Sequence, residues 1–95
     1  MASRKDYLVF LLDQLSELEG VSSRAMMGEY LLYYRGKVMG GIYDDRFLVK
    51  PTDSARRLMP EAPEEVPYPG AARMLLVENV EDRAFLAQLF TAMEP

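Results

Sequence analysis

Near the amino terminus, the leucines of one helical face recur every three or four residues: Leu8, Leu11, Leu12, Leu15 and Leu18. This spacing predicts an amphipathic helix, and Gly20 is well placed to end it. Ser3 followed three residues later by Asp6 resembles a helix N-cap with an acidic residue in the first turn. The chain is therefore expected to open with a helix that buries its leucine face.

A second helical pattern lies near the carboxyl terminus, where one face is apolar: Phe85, Leu86, Leu89, Phe90 and Met93. Asn79 precedes this segment and is the expected N-cap. A shorter helix is predicted to follow Pro51, with Thr52 as its N-cap and an end near Met59.

The segment between these helices, Met26 to Lys50, is rich in β-prone residues and is interrupted at Arg35-Gly36 and at Asp44-Asp45. Two-residue interruptions of this kind predict tight hairpin turns, so three strands in a meander are expected. Arg73 to Glu78 predicts a buried strand, and the proline-rich stretch before it predicts an ordered loop or a short edge strand near Val66.

The predicted order of elements is helix, three strands, helix, one or two strands, helix. Ninety-five residues suit one hydrophobic core, so residues 1–95 are expected to form a single domain. The fold class predicted from this pattern is α+β, with helices and an antiparallel sheet in two layers.

Strand register assigns the central side chains to two faces of the sheet, because directly opposed residues share a face. The face expected beneath the helices is almost wholly apolar: Met27, Leu31, Tyr33, Val38, Gly40, Ile42, Phe47 and Val49, with Glu29 as the exception. The other face mixes tyrosines, methionines and cations: Met26, Tyr30, Leu32, Tyr34, Met39, Tyr43, Arg46, Leu48 and Lys50, with Lys37 at its edge. A slip of one residue in either turn would exchange the faces of a whole strand.

The second face lacks the alternating polar positions that a solvated sheet face normally carries. Tyrosine, methionine and arginine are enriched at protein interfaces. The sequence therefore predicts an interaction face there, for a protein partner or for a second copy in a homodimer.

Glu29 is the most unusual carboxylate, because a charge on an apolar face needs a partner. A structural ion pair or a different register explains it without any function. Alternatively, Glu29 and Arg24 converge with Tyr33 or Lys50 on a cleft that binds a small ligand or catalyses a reaction, and Tyr68 is a further candidate for this polar site. By contrast, Gly40-Gly41 are expected to be ordinary strand glycines rather than a phosphate-binding loop, and Asp44-Asp45 to be hairpin residues rather than catalytic carboxylates.

Composition narrows the chemistry. Cysteine and histidine are absent, which removes disulfides, thiolate and imidazole metal ligands and the commonest general base. No metal, cofactor or catalytic residue is expected, and the longest apolar run, Tyr7 to Leu12, is too short for a membrane span. We expect a cytoplasmic protein that does not contact the membrane.

The formal net charge of −4 opposes direct nucleic-acid binding, because affinity for the phosphate backbone comes mainly from basic residues. Four cations near aromatic residues nevertheless keep it as a second alternative: Arg24, Lys37, Arg46 and Lys50.

The run SSRAMMGEYLLYYRGKVMGGIYDDRFLVKP, followed at a distance by PYPGAARMLLVENVEDRAFL, resembles the TfoX N-terminal domain family. The motifs that carry the resemblance are Arg24, Met26 to Tyr30, Gly36-Lys37, Asp44-Asp45, Lys50 and Tyr68-Pro69-Gly70. It implies a two-layer fold similar to secretion chaperones, with a second short strand around Glu65 to Tyr68.

Members of this family named TfoX or Sxy regulate natural competence, and in them this domain precedes a second one that residues 1–95 do not contain. The resemblance implies a regulatory role, in transcription or competence, exerted through a protein partner. It supplies no catalytic residues.

Overall fold

A computed structural model describes residues 3–94, which form three helices and six strands. Their bounds are α1 Lys5–Gln14, β1 Val21–Met26, β2 Glu29–Tyr34, β3 Lys37–Tyr43, β4 Arg46–Val49, α2 Asp53–Leu58, β5 Glu64–Glu65, β6 Met74–Leu76 and α3 Arg83–Met93. The strands form one sheet in the order β1-β2-β3-β4-β6-β5, and all neighbouring strands are antiparallel. The predicted α+β class with an antiparallel sheet is confirmed.

All three helices contribute to one core, which lies against a single face of the sheet, here called the inner face. The fully buried large side chains include residues from two helices and four strands: Leu11, Leu32, Ile42, Phe47, Leu75, Leu86, Leu89 and Phe90. The ring of Phe90 on α3 lies 5.9 Å from that of Tyr34 and 6.2 Å from that of Phe47, measured between ring centroids. Apolar burial of this kind is the main stabilising contribution in a domain of this size.

Three two-residue turns connect the first four strands: Met27-Gly28, Arg35-Gly36 and Asp44-Asp45. All six residues have positive φ, between 51° and 86°. Positive φ at both central residues is the geometry of the type I′ hairpin turn, whose twist matches that of the flanking strands. The two turns predicted from the sequence are therefore present, and Met27-Gly28 is a third.

The first strand of the meander, β1, was not predicted. Its sequence, VSSRAM, carries few apolar residues because it is an edge strand, and five of its six residues are exposed. An edge strand that no layer covers lacks the alternation of apolar and polar residues from which a strand is predicted. It pairs with β2 along its whole length, from Val21 opposite Tyr34 to Met26 opposite Glu29.

The predicted division of the two sheet faces is wrong for β2 and part of β3, because the register shifts between Leu32 and Tyr33. Tyr33 pairs with Val38 as expected, but Leu32 pairs with Gly40. Met39 is thus an extra residue, a β-bulge, and every later pair moves by one position.

The bulge places several residues of the predicted interaction face in the core instead. Leu32, Tyr34 and Met39 are buried beneath the helices, and Tyr30 packs against them. In the pairing of β3 with β4 the expected register is correct, with Tyr43 opposite Arg46 and Gly41 opposite Leu48.

The helix caps partly follow the prediction. Thr52 is the N-cap of α2, and its hydroxyl accepts a hydrogen bond from the backbone N–H of Ala55 at 3.1 Å. Asp82 takes the role expected of Asn79 and accepts from the N–H of Phe85 at 3.0 Å. Ser3 does not cap α1, because its hydroxyl bonds elsewhere, as described below.

Three element bounds also differ from expectation. The first helix ends at Gln14 rather than near Gly20, and β5 is confined to Glu64–Glu65. The predicted strand at residues 73–78 is shortened to Met74–Leu76. Within residues 3–94, no helix has the length and hydrophobicity needed to cross a membrane.

Candidate functional site

The face of the sheet opposite the helices, here called the outer face, ends in an open cleft of about 490 Å³. Five residues line it: Met26, Met27, Glu29, Tyr43 and Tyr68. We call this the outer-face cleft. A neighbouring hollow of about 380 Å³ shares Glu29 and Tyr68 and extends along Arg46 and Pro67.

Glu29 is held from two directions. The hydroxyl of Ser3 donates a 2.5 Å hydrogen bond to Glu29 Oε1, and the backbone N–H of Asp44 donates to both carboxylate oxygens at 3.2 and 3.3 Å. The side chain is partly exposed and lies on the outer face, so its expected position beneath the helices is wrong. Its partners are a hydroxyl and a peptide group rather than an arginine.

The beginning of α1 completes this network. The backbone N–H of Ser3 donates to the carbonyl of Gly28 at 3.0 Å, and the N–H of Asp45 donates to Ser3 Oγ at 3.1 Å. The N–H of Arg4 donates to Asp45 Oδ1 at 2.8 Å. Asp44 and Asp45 thus form a turn that the start of the first helix clamps to the β1–β2 hairpin.

Tyr43 forms the floor of the cleft. Its ring lies above Gly41, where a Cβ atom would come within 2.8 Å of Tyr43 Cε2. Only 5% of Tyr43 is exposed, and burial is the main cause that raises the pKa of its hydroxyl, with smaller contributions from Tyr68 and the Glu29 carboxylate. The Tyr43 hydroxyl therefore loses its proton only at a pH further above neutral.

Tyr68 stands beside Tyr43, with ring centroids 6.1 Å apart and ring planes inclined at 51°. It belongs to the proline-rich loop, which Arg46 holds against the sheet. The Arg46 guanidinium bonds Glu65 at 2.7 Å and the carbonyls of Val66 and Pro67 at 3.3 Å. The positive charge of Arg46 is thus used to fix the loop that carries Tyr68.

The structure brings together only part of the polar site predicted from the sequence. Glu29 and Tyr68 share the cleft, whereas Arg24 lies opposite Leu31 on β1 and does not line it. Lys50 lies in a separate hollow.

That separate hollow also contains Lys37 and Met39. Of the four cations considered for nucleic-acid binding, two therefore lie there, Arg24 lies on the edge strand, and Arg46 is committed to Glu65. They do not form one basic patch.

Two residues of the site were missed in the sequence analysis. Met27 was assigned to the covered face, yet 97% of it is exposed because it occupies a hairpin turn. The glycine that follows it was the available signal, since a Met-Gly pair between two strands suits a turn with positive φ. Ser3 had no such signal, because its partner Glu29 is 26 positions away.

The fold and site define a class of small α+β domain whose antiparallel sheet carries helices on one face and an open cleft on the other. Within that class, the chain belongs to the TfoX N-terminal domain family, whose family model matches residues 13–88. This is a family of regulatory domains.

A relative from Spirochaeta aurantia, described as "Uncharacterized 12.7 kDa protein in trpE 5'region", is 37% identical over 84 residues. The match covers 88% of this chain and 73% of the relative. No solved structure gives a significant match to the chain.

Proposed function

We propose that this domain is a non-enzymatic regulatory module that binds a partner protein at the outer-face cleft. One observation carries the proposal. Within residues 3–94, four large hydrophobic side chains are exposed, and three of them line this cleft: Met26 at 39%, Met27 at 97% and Tyr68 at 53%. Clustered apolar exposure of this kind marks interaction sites, whereas isolated exposed residues are common on any protein.

The residue types and their support also suit a protein contact. Methionine adapts its flexible side chain to a partner, and tyrosine combines a large apolar area with a polar end. Hydrogen bonds from Ser3 and Asp44 fix Glu29, and Arg46 fixes the loop of Tyr68. A surface that is already ordered loses less conformational entropy when it binds.

Membership of the TfoX N-terminal domain family supports a regulatory role, and we place that role in transcription or competence, exerted through the bound partner. The alternative of an enzyme centred on Glu29 has weaker support. The other side chains expected to converge on it, Arg24, Tyr33 and Lys50, do not line the cleft.

Site-specific photocross-linking in cells tests the proposal. A benzophenone amino acid replaces Met27 in one variant and Val9 in the other; Val9 is an exposed apolar residue of α1, 58% accessible, outside the cleft. We expect a discrete adduct with one protein from position 27 that position 9 does not give. The purified partner should then bind the wild type at least tenfold more tightly than Met27→Glu. Equal adducts from both positions, or equal binding by Met27→Glu, would refute the proposed surface.

A homodimer is also proposed, but through the open edge of β1 instead of the originally expected face. The backbone N–H of Arg35 donates to the carbonyl of Gly20, and hydrogen-bonding directions alternate along an antiparallel strand. The peptide groups of Val21, Ser23 and Ala25 therefore point away from β2. Six residues of edge strand with no covering layer form a template for a second strand.

A two-fold axis at Ser23 gives the best antiparallel register, because it sets Ser22 opposite Arg24 of the other copy. An axis at Arg24 would oppose two like charges, which is destabilising. Light scattering coupled to size exclusion, over a dilution series, should give twice the 10.8 kDa chain mass. Ser23→Pro, which removes the outward N–H, should give a monomer, and Ser23→Ala should remain dimeric. A wild-type monomer at every concentration would rule out this dimer.

A further inference from the structure

The outer-face cleft combines one carboxylate, two aromatic rings and two thioethers within a single small volume. From this combination we infer that the cleft receives a cationic side chain, lysine or arginine, presented by the partner protein. The inference rests on the proposed function, because it specifies the chemistry of the partner that binds there.

The Glu29 carboxylate has capacity left for a cation. A carboxylate offers about four lone-pair sites. Ser3 and Asp44 both donate to Oε1, whereas Oε2 accepts only from Asp44, at 3.2 Å. A hydrogen bond from an ammonium or guanidinium group to Oε2 would be charge-assisted and therefore stronger than one between neutral groups.

No cationic side chain among residues 3–94 forms an ion pair with Glu29. Arg46, which lines the adjoining hollow, is paired with Glu65 at 2.7 Å and bonds three backbone carbonyls besides. Arg4 pairs with Asp45 at 3.4 Å. The charge of Glu29 thus remains available to a group from outside the described chain.

The aromatic rings add a second attraction for a cation. The ring centroids of Tyr43 and Tyr68 are 6.1 Å apart and the ring planes are inclined at 51°. The two rings are therefore not stacked face to face. A cation within about 6 Å of a tyrosine ring is attracted by the electron density of its face. Burial contributes most to the raised pKa of Tyr43, with smaller contributions from Tyr68 and from the Glu29 carboxylate, which lies beside the rings.

Met26 and Met27 supply the apolar part of the site. Lysine and arginine bury their methylene stems against apolar surface while the charged end finds a polar partner. The exposed thioether side chains lie beside the carboxylate, so they offer such a surface to the stem. The net charge of −4 on the chain also favours approach by a basic segment.

Methyl and amide NMR of the full chain tests the inference with four capped amino acids: lysine and arginine, each N-acetylated and methylamidated, beside neutral norleucine and citrulline in the same form. We expect saturable shifts of the Met26 and Met27 methyl groups with dissociation constants on the order of 1–10 mM for the cations. The neutral compounds should bind at least tenfold more weakly. Comparison of the lysine and arginine titrations shows which of the two is preferred.

Glu29→Gln, which preserves the size and the oxygen acceptor for Asp44, should weaken the binding of the cations at least tenfold. Glu17→Gln, an exposed carboxylate outside the cleft, is the matched control and should bind as the wild type does. An unchanged amide spectrum outside the cleft and an unchanged melting temperature would show that Glu29→Gln is folded.

Equal shifts from lysine and norleucine, or no saturable shift from any cation up to about 50 mM, would overturn the inference. The outcome is distinguishable from failure of the proposed function. A specific cross-link at Met27 with no cation binding would leave the partner surface standing and remove the cationic side chain. Saturable cation binding without any cross-linked protein would leave the cation site standing and remove the partner surface.

Discussion

Gly40 and Gly41 are the positions of β3 at which neighbouring atoms exclude a side chain. A Cβ atom on Gly40 would lie 2.1 Å from the carbonyl oxygen of Leu48 and 2.7 Å from the Cα of Val49. Both obstacles are backbone atoms in the centre of the sheet, so they cannot move aside cheaply. On Gly41 the obstacles are the carbonyl of Tyr30 and the ring of Tyr43, which ties this glycine to the floor of the cleft.

We predict that Gly40→Ala lowers the free energy of unfolding by about 2–3 kcal/mol, because the added methyl group forces β3 and β4 apart. Gly36→Ala is the control, since no atom lies within 4 Å of its Cβ position. Its cost should be about 1 kcal/mol, from positive φ alone. Urea denaturation measures both values, and equal losses would mean that the close approach at Gly40 is not felt.

A second prediction at this scale concerns alkaline pH. Burial raises the pKa of Tyr43, and it also raises that of Tyr7, to which Asp45 adds. In the folded state these phenol groups therefore stay protonated at pH values above about 10, the pKa of an unfolded tyrosine. The resulting stability is fully present below about pH 10 and is lost as pH rises through the raised folded pKa.

Tyr43→Phe has no proton to lose at that position, so its unfolding free energy should fall less than that of the wild type between pH 8 and pH 11. Urea denaturation at the two pH values gives the comparison. Identical losses in both proteins would show that Tyr43 titrates normally in the folded state.

How far individual residues could be predicted depended on whether their partners are local. Thr52 was recognised as a cap because the group it bonds lies three residues away. Glu29 was recognised as unusual, but its partner Ser3 could not be predicted. The two residues are 26 positions apart, and no sequence pattern indicates that they meet. Met27 was misplaced because a strand was extended through a turn.

At the scale of elements, the β-bulge at Met39 decides which side chains meet the helices. Periodicity predicted the helices and most strands, because their apolar positions repeat. A bulge adds a single residue without changing composition, so the sequence offers no repeat from which to predict it. The class of fold was therefore predictable, whereas the face assignment of β2 was not.

Two adjacent leucines test the face assignment. Leu32 is fully buried beneath the helices, whereas Leu31 is only partly buried on the outer face. Leu32→Ala should cost about 3 kcal/mol of unfolding free energy through loss of burial and a cavity. Leu31→Ala should cost about 1 kcal/mol, in proportion to its smaller buried area. The register expected from the sequence predicts the reverse order, so chemical denaturation of the two variants separates the alternatives.

At the scale of the whole molecule, the amino-terminal helix connects the core to the cleft. Leu8 and Leu11 of α1 pack in the core, while Ser3 and Arg4, just before it, bond the turns that border the cleft. The cleft is thus positioned by the segment that precedes α1, by the two turns that this segment bonds, and by the loop of Tyr68. Such an arrangement favours a preorganised binding surface over a mobile one.

The whole-molecule behaviour was the least predictable from the sequence. The absence of cysteine and histidine and the negative net charge excluded several kinds of chemistry. The family motifs indicated a regulatory domain. The proposed partner surface, however, is formed by residues from separate segments, and the fold adds Met27, which the sequence assigned to the covered face, to Glu29 and Tyr68. The proposed edge pairing of β1 likewise depends on a strand that the sequence pattern did not indicate.

The most direct measurement compares transcript levels in a strain lacking this gene after complementation with the wild type, Met27→Glu or Val9→Glu. If the domain regulates through a partner at the outer-face cleft, the wild type and Val9→Glu will restore the transcripts that deletion alters. Met27→Glu, at equal protein level and melting temperature, will not restore them. Full restoration by Met27→Glu would contradict regulation through this surface.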